Sequence, residues 1–229
     1  MTRLLAVETS AEACSVALHC RGETRIYFEH APMRHAELLL PAVKMLLEQE
    51  GVKLNQLDAI AFGRGPGSFT SLRIGIGVVQ GLAWGAGLPV VPVSSLAAAA
   101  QDACDAKSGN GLPICVALDA RMNEVYTANF RCGENGIVIP DGEERVCAPD
   151  RVSPPQAGPY IAAGNGFERF TELAPMASAA AVYRPEAVPK AETLCQLALN
   201  WLTANTPLPA GLAQPVYLRN KVASKPAAG

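Results

Sequence analysis

Charge is scarce in this 229-residue chain, at 17% of all positions, against roughly 25% in an ordinary soluble protein. The 19 basic and 21 acidic side chains nearly cancel, leaving a formal charge of −2. That balance offers no electrostatic footprint for a polyphosphate backbone, so unaided nucleic-acid binding is not expected. The three histidines, His19, His30 and His35, never fall in a His-x-x-x-His or His-Glu-x-x-His arrangement, so no metalloenzyme motif is present. Seven cysteines, Cys14, Cys20, Cys104, Cys115, Cys132, Cys147 and Cys195, form an odd set with no Cys-x-x-Cys pair. Neither a zinc site nor a disulfide framework is indicated, and the expectation is free thiols in a reducing cytoplasm. Met1 to Ser10 lacks the central apolar region of a secretory signal. No Gly-x-Ser-x-Gly elbow supports a Ser/His/Asp triad.

Hydrophobic residues are abundant, at 49%, and 20 glycines and 18 prolines punctuate them. The pattern is that of a turn-rich globular protein of one large or two small domains. Ile74 to Gln101 carries no formal charge, but Pro89, Pro92, Ser94 and Ser95 cut it into pieces too short to cross a membrane. The expected strands are Leu4 to Val7, Ser15 to Cys20, Thr24 to Phe28, Asp58 to Phe62 and Pro89 to Val93. Helical spacing marks Ala36 to Glu50, Thr70 to about Gly85 and Ser95 to about Ala106. The order βββαβαβα is that of a mixed sheet with helices. Lys107 to Gly111 is polar and turn-rich, and marks the expected boundary between an N-terminal lobe, 1–106, and a smaller α/β lobe, 107–229. Ile114 to Leu118, Val125 to Phe130 and Ile161 to Ala163 read as its strands and Ala191 to Thr203 as a helix. Gly133 to Gly158 shows no clear order, and Ser224 to Gly229 reads as a frayed tail.

The loop Gly63-Arg64-Gly65-Pro66-Gly67-Ser68 sits between a strand and a helix, where backbone N–H groups and the helix dipole suit an anion. It is not a P-loop, because Gly67-Ser68-Phe69 stands where Gly-Lys-Ser is required. As a bare turn it simply reverses the chain. Glu8, Thr9 and Ser10 follow the first strand, in a place where a metal-bound phosphate would be met. Asp119 and Arg121 suit a solvated ion pair with each other or with Glu124.

The helix after His35 carries the most physical information. At about 100° per residue, Glu37, Lys44 and Glu48 fall in a narrow sector, while Leu38, Leu39, Leu40, Ala42, Val43, Met45, Leu46 and Leu47 spread over most of the rest. One face suits the home sheet, and the other needs cover from this chain or from a partner. In the next helix Gly77, Gly81 and Gly85 recur every fourth residue, marking a groove for close backbone approach. Each costs about 1 kcal/mol relative to Ala, so the repeat calls for a packing reason, inside the chain or outside it.

Four blocks resemble the TsaB (YeaZ) family of bacterial tRNA threonylcarbamoyladenosine biosynthesis proteins. They are Leu5-Ala6-Val7-Glu8-Thr9-Ser10, Gly63 to Thr70 with Arg73-Ile74-Gly75, Asp119 to Tyr126, and Pro215-Val216-Tyr217-Leu218-Arg219. His35 to Pro41 also resembles the family's first helix. The resemblance spans essentially the whole chain. It implies the ASKHA fold of actin, Hsp70 and sugar kinases, an α/β architecture of two lobes, each a mixed sheet flanked by helices.

It also implies a non-catalytic subunit, of cytoplasmic location, that scaffolds or activates a TsaD-like paralogue. That paralogue transfers threonylcarbamoyl from threonylcarbamoyl-AMP, made by TsaC, to N6 of the adenosine beside the anticodon, in tRNAs reading codons that begin with A. A TsaE-like ATPase would join the pair, tRNA would be met only indirectly, and in isolation the apolar surface would pair with itself. No intrinsic cofactor is implied, and whether a nucleotide lodges at the contact is open. Where TsaD-like chains carry a histidine-rich metal motif, this chain has Val93-Ser94-Ser95-Leu96-Ala97-Ala98-Ala99, with no nitrogen ligand. Glu8 stands where many relatives carry Asp.

The expected partner surface is Leu39, Leu40, Val43, Leu46 and Leu47 with Gly77 and Gly81. Glu8, Thr9, Arg64, Gly65 and Gly67 are the expected vestige of an anion site. The rival readings are an autonomous ATP-binding phosphotransferase of the same fold, using Glu8 and the Gly63 to Ser68 loop, and a peptidase acting on a partner protein. Val43→Lys or Leu47→Lys is expected to abolish co-purification with a TsaD-like partner while leaving the circular dichroism spectrum unchanged, since a charge would enter a desolvated contact.

Overall fold

The structure is a computed structural model that describes residues 2–104, 111–155 and 158–219. The first sheet is built from β1 (Leu4–Glu8), β2 (Ala13–Cys20) and β3 (Glu23–His30), followed by α1 (His35–Glu50), β4 (Ala59–Gly63), α2 (Phe69–Ala86), β5 (Val90–Val93) and α3 (Ser95–Ala103). Its strand order is β3-β2-β1-β4-β5, antiparallel on the β2 and β3 side of β1 and parallel through β4 and β5. The second half contributes β6 (Pro113–Asp119), β7 (Val125–Cys132), β8 (Val138–Pro140), β9 (Arg145–Cys147), β10 (Ile161–Ala163), α4 (Gly166–Arg169), α5 (Ala174–Ala179), β11 (Val182–Arg184) and α6 (Ala191–Leu202). Its sheet runs β11-β10-β6-β7-β8, with β9 on the other half of the β7 edge. These two mixed sheets with flanking helices are the two-lobed architecture expected from the sequence. The segment that showed no order there, Gly133 to Gly158, supplies the short strands β8 and β9.

Strand alternation sets the layers. Leu5 and Val7 of β1 face the cluster that contains Leu39, Val43 and Leu46 of α1 and Ile76 and Val79 of α2. Leu4 and Ala6 face the opposite way, into a cluster shared with α3, α6 and one side of the second sheet. In β6, Ile114 and Val116 join that shared middle layer, while Cys115 and Ala117 face a third cluster with Phe167 and Leu173. The result is helix, sheet, helix, sheet and helix in succession, as period-two side-chain alternation requires when both faces of each sheet are covered. The middle layer is rich in alanine, with Ala98, Ala99, Ala100, Ala191 and Ala198 all at 0% exposure, which lets α3 and α6 fit between the sheets.

The boundary expected at 106/107 falls outside the described residues, as does the tail from Ser224. The two sheets do divide on either side of it. The later stretch does not stay with its own sheet, however, because α6 packs on β1, β2, β4 and β5. Beyond α6, Val90 and Leu208 exchange both backbone hydrogen bonds, at 2.7 and 2.8 Å. The end of the chain therefore completes the first lobe. The expectation that every cysteine is a free thiol is also corrected, since Cys104 and Cys132 are paired as a disulfide with Cα atoms 6.1 Å apart. Their separation of 28 residues bridges the end of α3 and the end of β7, a proximity that linear spacing does not reveal. Among the described residues no helix is long and apolar enough to cross a membrane.

Leu194 of α6 is fully buried in the layer between the sheets. Leu194→Ala is expected to lower unfolding stability by about 2–5 kcal/mol, read as a fall in the urea midpoint.

Candidate functional site

Helix α1 ends at Gly51, whose φ of 63° is left-handed, and α2 begins at Ser68, whose hydroxyl accepts the Ser71 N–H at 3.5 Å. The two helices lie side by side on one face of the first sheet. On α1, the residues at 35, 39, 42, 43 and 46 turn inward. Leu39, Val43 and Leu46 are 0, 3 and 1% exposed, so three of the seven expected partner-surface residues belong to the protein's own core. Leu40, at 50% exposure, is on the outer face with Met45, and Leu47 is half-buried beside them. The physical reason is angular, because the buried set lies opposite the sector of Glu37, Lys44 and Glu48, whereas Leu40 and Met45 flank it.

Helix α2 carries glycines of two kinds. At Gly75 a Cβ would sit 2.2 Å from Thr9 Oγ1, so only glycine lets the helix approach the end of β1. At Gly77, Gly81 and Gly85 a Cβ would meet nothing within 4 Å. These three face outward and satisfy no packing need within the described residues. Sequence spacing carried two further signals for this face. Trp84, seven residues after Gly77 and 73% exposed, and Arg73, four before it, lie on the same stripe. The exposed apolar and glycine positions are thus Leu40 and Met45 on either side of the charged sector of α1, and Gly77, Gly81 and Trp84 on α2, whose flank is touched by the distal chain where Gln80 donates to the Ala213 carbonyl at 2.8 Å.

The expected anion-binding set is not assembled. Glu8 is 1% exposed and does not line the cleft between the lobes. Its Oε1 accepts the Ser10 N–H at 2.6 Å and its Oε2 accepts the Ser95 hydroxyl at 2.9 Å. Burial pushes its pKa above the ordinary carboxylate value, and the hydrogen bonds from Ser10 and Ser95 pull it only partly back. Thr9 donates its hydroxyl to the Ser71 carbonyl at 2.9 Å. Arg64 forms an ion pair with Glu144 at 2.9 Å, while its N–H donates to Val93 and its carbonyl accepts the Val216 N–H. Gly65 packs against Leu72 and the Val216 carbonyl, and Gly67 against Ser10. The groups that would hold an anion already hold the chain together.

The four blocks singled out in the sequence nonetheless meet in space. Ser68 N–H donates to the Ser10 carbonyl at 2.8 Å, and Arg73 Nε to the Tyr217 hydroxyl at 3.0 Å. Arg219 pairs with Glu124 and donates to the Ala120 carbonyl at 3.1 Å. They surround a cleft of about 480 Å3 whose walls include Ser68, Thr70, Arg121, Tyr126 and Tyr217. Asp119 does not form a solvated pair. Its side chain is nearly buried between Arg121 at 3.3 Å and Arg169 at 3.2 Å, and Arg121 reaches Glu12 of the other lobe at 2.7 Å. Glu124 is taken by Arg219. The thiols of Cys115 and Cys195 are pushed up to about 12, mainly by burial, so neither supplies a thiolate at neutral pH. Among the described residues no cluster of His, Cys, Asp and Glu side chains suits a metal ion.

Comparison with known proteins places this geometry. The family described as TsaD, tRNA N6-adenosine threonylcarbamoyltransferase, matches residues 26–228. The tRNA threonylcarbamoyladenosine biosynthesis protein TsaB of Escherichia coli is 38% identical over 226 residues, covering 97% of both chains. The protein of the same name in Haemophilus influenzae is 39% identical over 236 residues, covering 97% of this chain and 95% of its own. The solved structure of YeaZ from Pseudomonas aeruginosa superimposes with a TM-score of 0.88 at 41% identity, over 95% of this chain and all of that one.

Two stability measurements check these assignments. Val43→Lys is now expected to unfold the protein rather than merely block a contact, whereas Leu40→Lys should leave the unfolding midpoint within about 0.5 kcal/mol of the parent. For Glu8, the raised folded pKa favours the protonated acid. That advantage is complete below the ordinary carboxylate pKa and is lost as pH rises through the raised folded value. Glu8→Gln, which can keep both hydrogen bonds, should therefore melt above the parent at about pH 8, and the difference should close by about pH 4.

Proposed function

The chain belongs to the TsaB family of tRNA threonylcarbamoyladenosine biosynthesis proteins, and on that premise we propose that it is the non-catalytic subunit that docks on a TsaD-type transferase through the outer face of α1 and α2. The observation that carries this reading is the open glycine stripe. Three helical glycines cost about 3 kcal/mol together relative to alanine, and Gly77, Gly81 and Gly85 have no neighbour within 4 Å of a Cβ position. A second helix laid in that groove would supply the missing reason, with Leu40, Met45 and Trp84 as its apolar margins. In the absence of the transferase the same face pairs with itself about a two-fold axis.

A scaffold role is supported by what the expected catalytic positions are doing. Ser94 caps α3 by accepting the Ala97 N–H at 3.1 Å, and Ser95 holds Glu8. Both stand where a histidine metal motif would be required for the transfer reaction. The phosphotransferase reading would need Glu8 in the cleft and Arg64 free, and the peptidase reading would need an activated nucleophile. The subunit acts by holding the transferase in a competent arrangement, an effect on conformation rather than on bond making. A TsaE-type ATPase joins the pair in the cytoplasm, and tRNA is met through the transferase.

The test is reconstitution of threonylcarbamoyladenosine formation from TsaC, TsaD and TsaE with and without this chain. Product that depends on the chain supports the reading, and equal product without it overturns it. Gly81 separates docking from folding. Gly81→Ala should raise stability by about 0.5–1 kcal/mol, while Gly81→Arg should fold normally and lose stimulation of the reaction.

A further inference from the structure

Helix α2 bears a single charged residue, Arg73. The guanidinium carbon lies over the Phe69 ring, 3.7 Å from its centroid, and 5.9 Å from the centroid of Tyr217. The two rings themselves are 5.3 Å apart and tilted by 37°. Tyr217 accepts the Nε–H of Arg73 at 3.0 Å. Among the described residues, no carboxylate lies within 4.0 Å of this guanidinium, as is also true of Arg3, Arg21, Arg145 and Arg151, but of these only Arg73 is held over an aromatic ring. Arg73, Phe69 and Tyr217 are all exposed.

We propose that Arg73 is the charge-recognising residue of the partner surface, and that it receives a carboxylate side chain from the docked transferase. The inference rests on the functional reading above and deepens it. With Nε committed to Tyr217, the two Nη groups remain, and they form the edge that takes a carboxylate in a bidentate pair. Stacking on Phe69 fixes the long side chain before the partner arrives, so little rotamer freedom is lost on binding. The position is also right. Arg73 is four residues from Gly77, or about 6 Å along the axis, so a carboxylate one turn beyond the closest contact of a helix in the glycine groove meets it. In an otherwise uncharged helix this one group sets register and direction, a task that apolar contact alone performs poorly.

A second consequence concerns Tyr217, which is 144 residues from Arg73 in sequence. It belongs to the segment that crosses back over the cleft, held by Val216 N–H to the Arg64 carbonyl at 2.8 Å and by Arg219 to Glu124. The end of the chain therefore acts as a positioning element for the partner surface, and Tyr217 is a positioning residue rather than a contact of its own.

The experiment measures binding of the full chain to a purified TsaD-type protein at low and high salt, with thermal unfolding as a check on the fold. The parent should bind and should weaken as salt rises. Arg73→Glu should lose about 100-fold or more in affinity. Arg73→Lys, which keeps charge but not the planar fork, should lose about tenfold and keep its salt dependence. Arg73→Gln should weaken binding and flatten the salt dependence, and Tyr217→Phe should cost a few-fold, with unfolding temperatures unchanged. Binding of Arg73→Glu within about twofold of the parent, or parental salt dependence in Arg73→Gln, overturns the inference while leaving the docking surface standing. No binding by the parent overturns the docking reading itself, and this inference with it.

Discussion

Everything in this structure depends on the first strand being apolar on both sides. Leu4 and Ala6 point one way and Leu5 and Val7 the other, and all four are essentially inaccessible. A sheet whose central strand is greasy on two faces must be covered twice. One cover is α6, delivered from the far end of the chain, which is backed in turn by α3 on the second sheet. The other is α1 and α2. Once α1 and α2 have spent their inner faces on that duty, the outer faces are left to solvent or to another molecule, and the composition of those faces decides which. On α1 that face carries Glu37, Lys44 and Glu48 between Leu40 and Met45, whereas on α2 a row of glycines and one arginine leave little for water to solvate.

Local chemistry made most of the elements legible. The βββαβαβα order, the helix closed at Gly51 and the loop from Gly63 to Ser68 follow from turn residues and periodicity, and the structure has each of them. The inward face of α1 is marked only by its charges, a signal missed in expecting Leu39, Val43 and Leu46 on the partner surface. Apolar residues cover so much of that helix that they point nowhere by themselves, whereas the sector of Glu37, Lys44 and Glu48 marks the outside and so places Leu39, Val43 and Leu46 within. What local chemistry does not contain is allegiance between distant segments. Nothing near Ala191 says that α6 serves the first sheet, and nothing near Cys104 says that Cys132 lies beside it. These are decided by which surfaces remain uncovered after the local elements form.

The candidate anion loop illustrates the same limit from the opposite side. Glycines, a helix start and an arginine are the right ingredients, and each is present between Gly63 and Ser68. In the folded chain they are bound to one another and to the segment near Val216, so their chemistry is structural. Glu8 has gone furthest in this direction. It sits where Gly63 leaves room for it, since a Cβ there would lie 2.2 Å from its carboxylate oxygen. Glu8 thus ties Ser10 to Ser95 within the first lobe, while Arg64 reaches Glu144 of the second.

Helix α2 has glycine on both of its sides, Gly75 beneath and Gly77 and Gly81 above. At the level of Gly75 and Gly77 the helix is a thin wall, its backbone alone separating Thr9 from whatever rests outside. A body seated in the outer groove therefore comes to within roughly one helix diameter, about 10 Å, of the carboxyl end of β1, closer than it could approach over leucine or phenylalanine. Pressure applied at that surface reaches the buried ends of the central strands through a single layer of backbone.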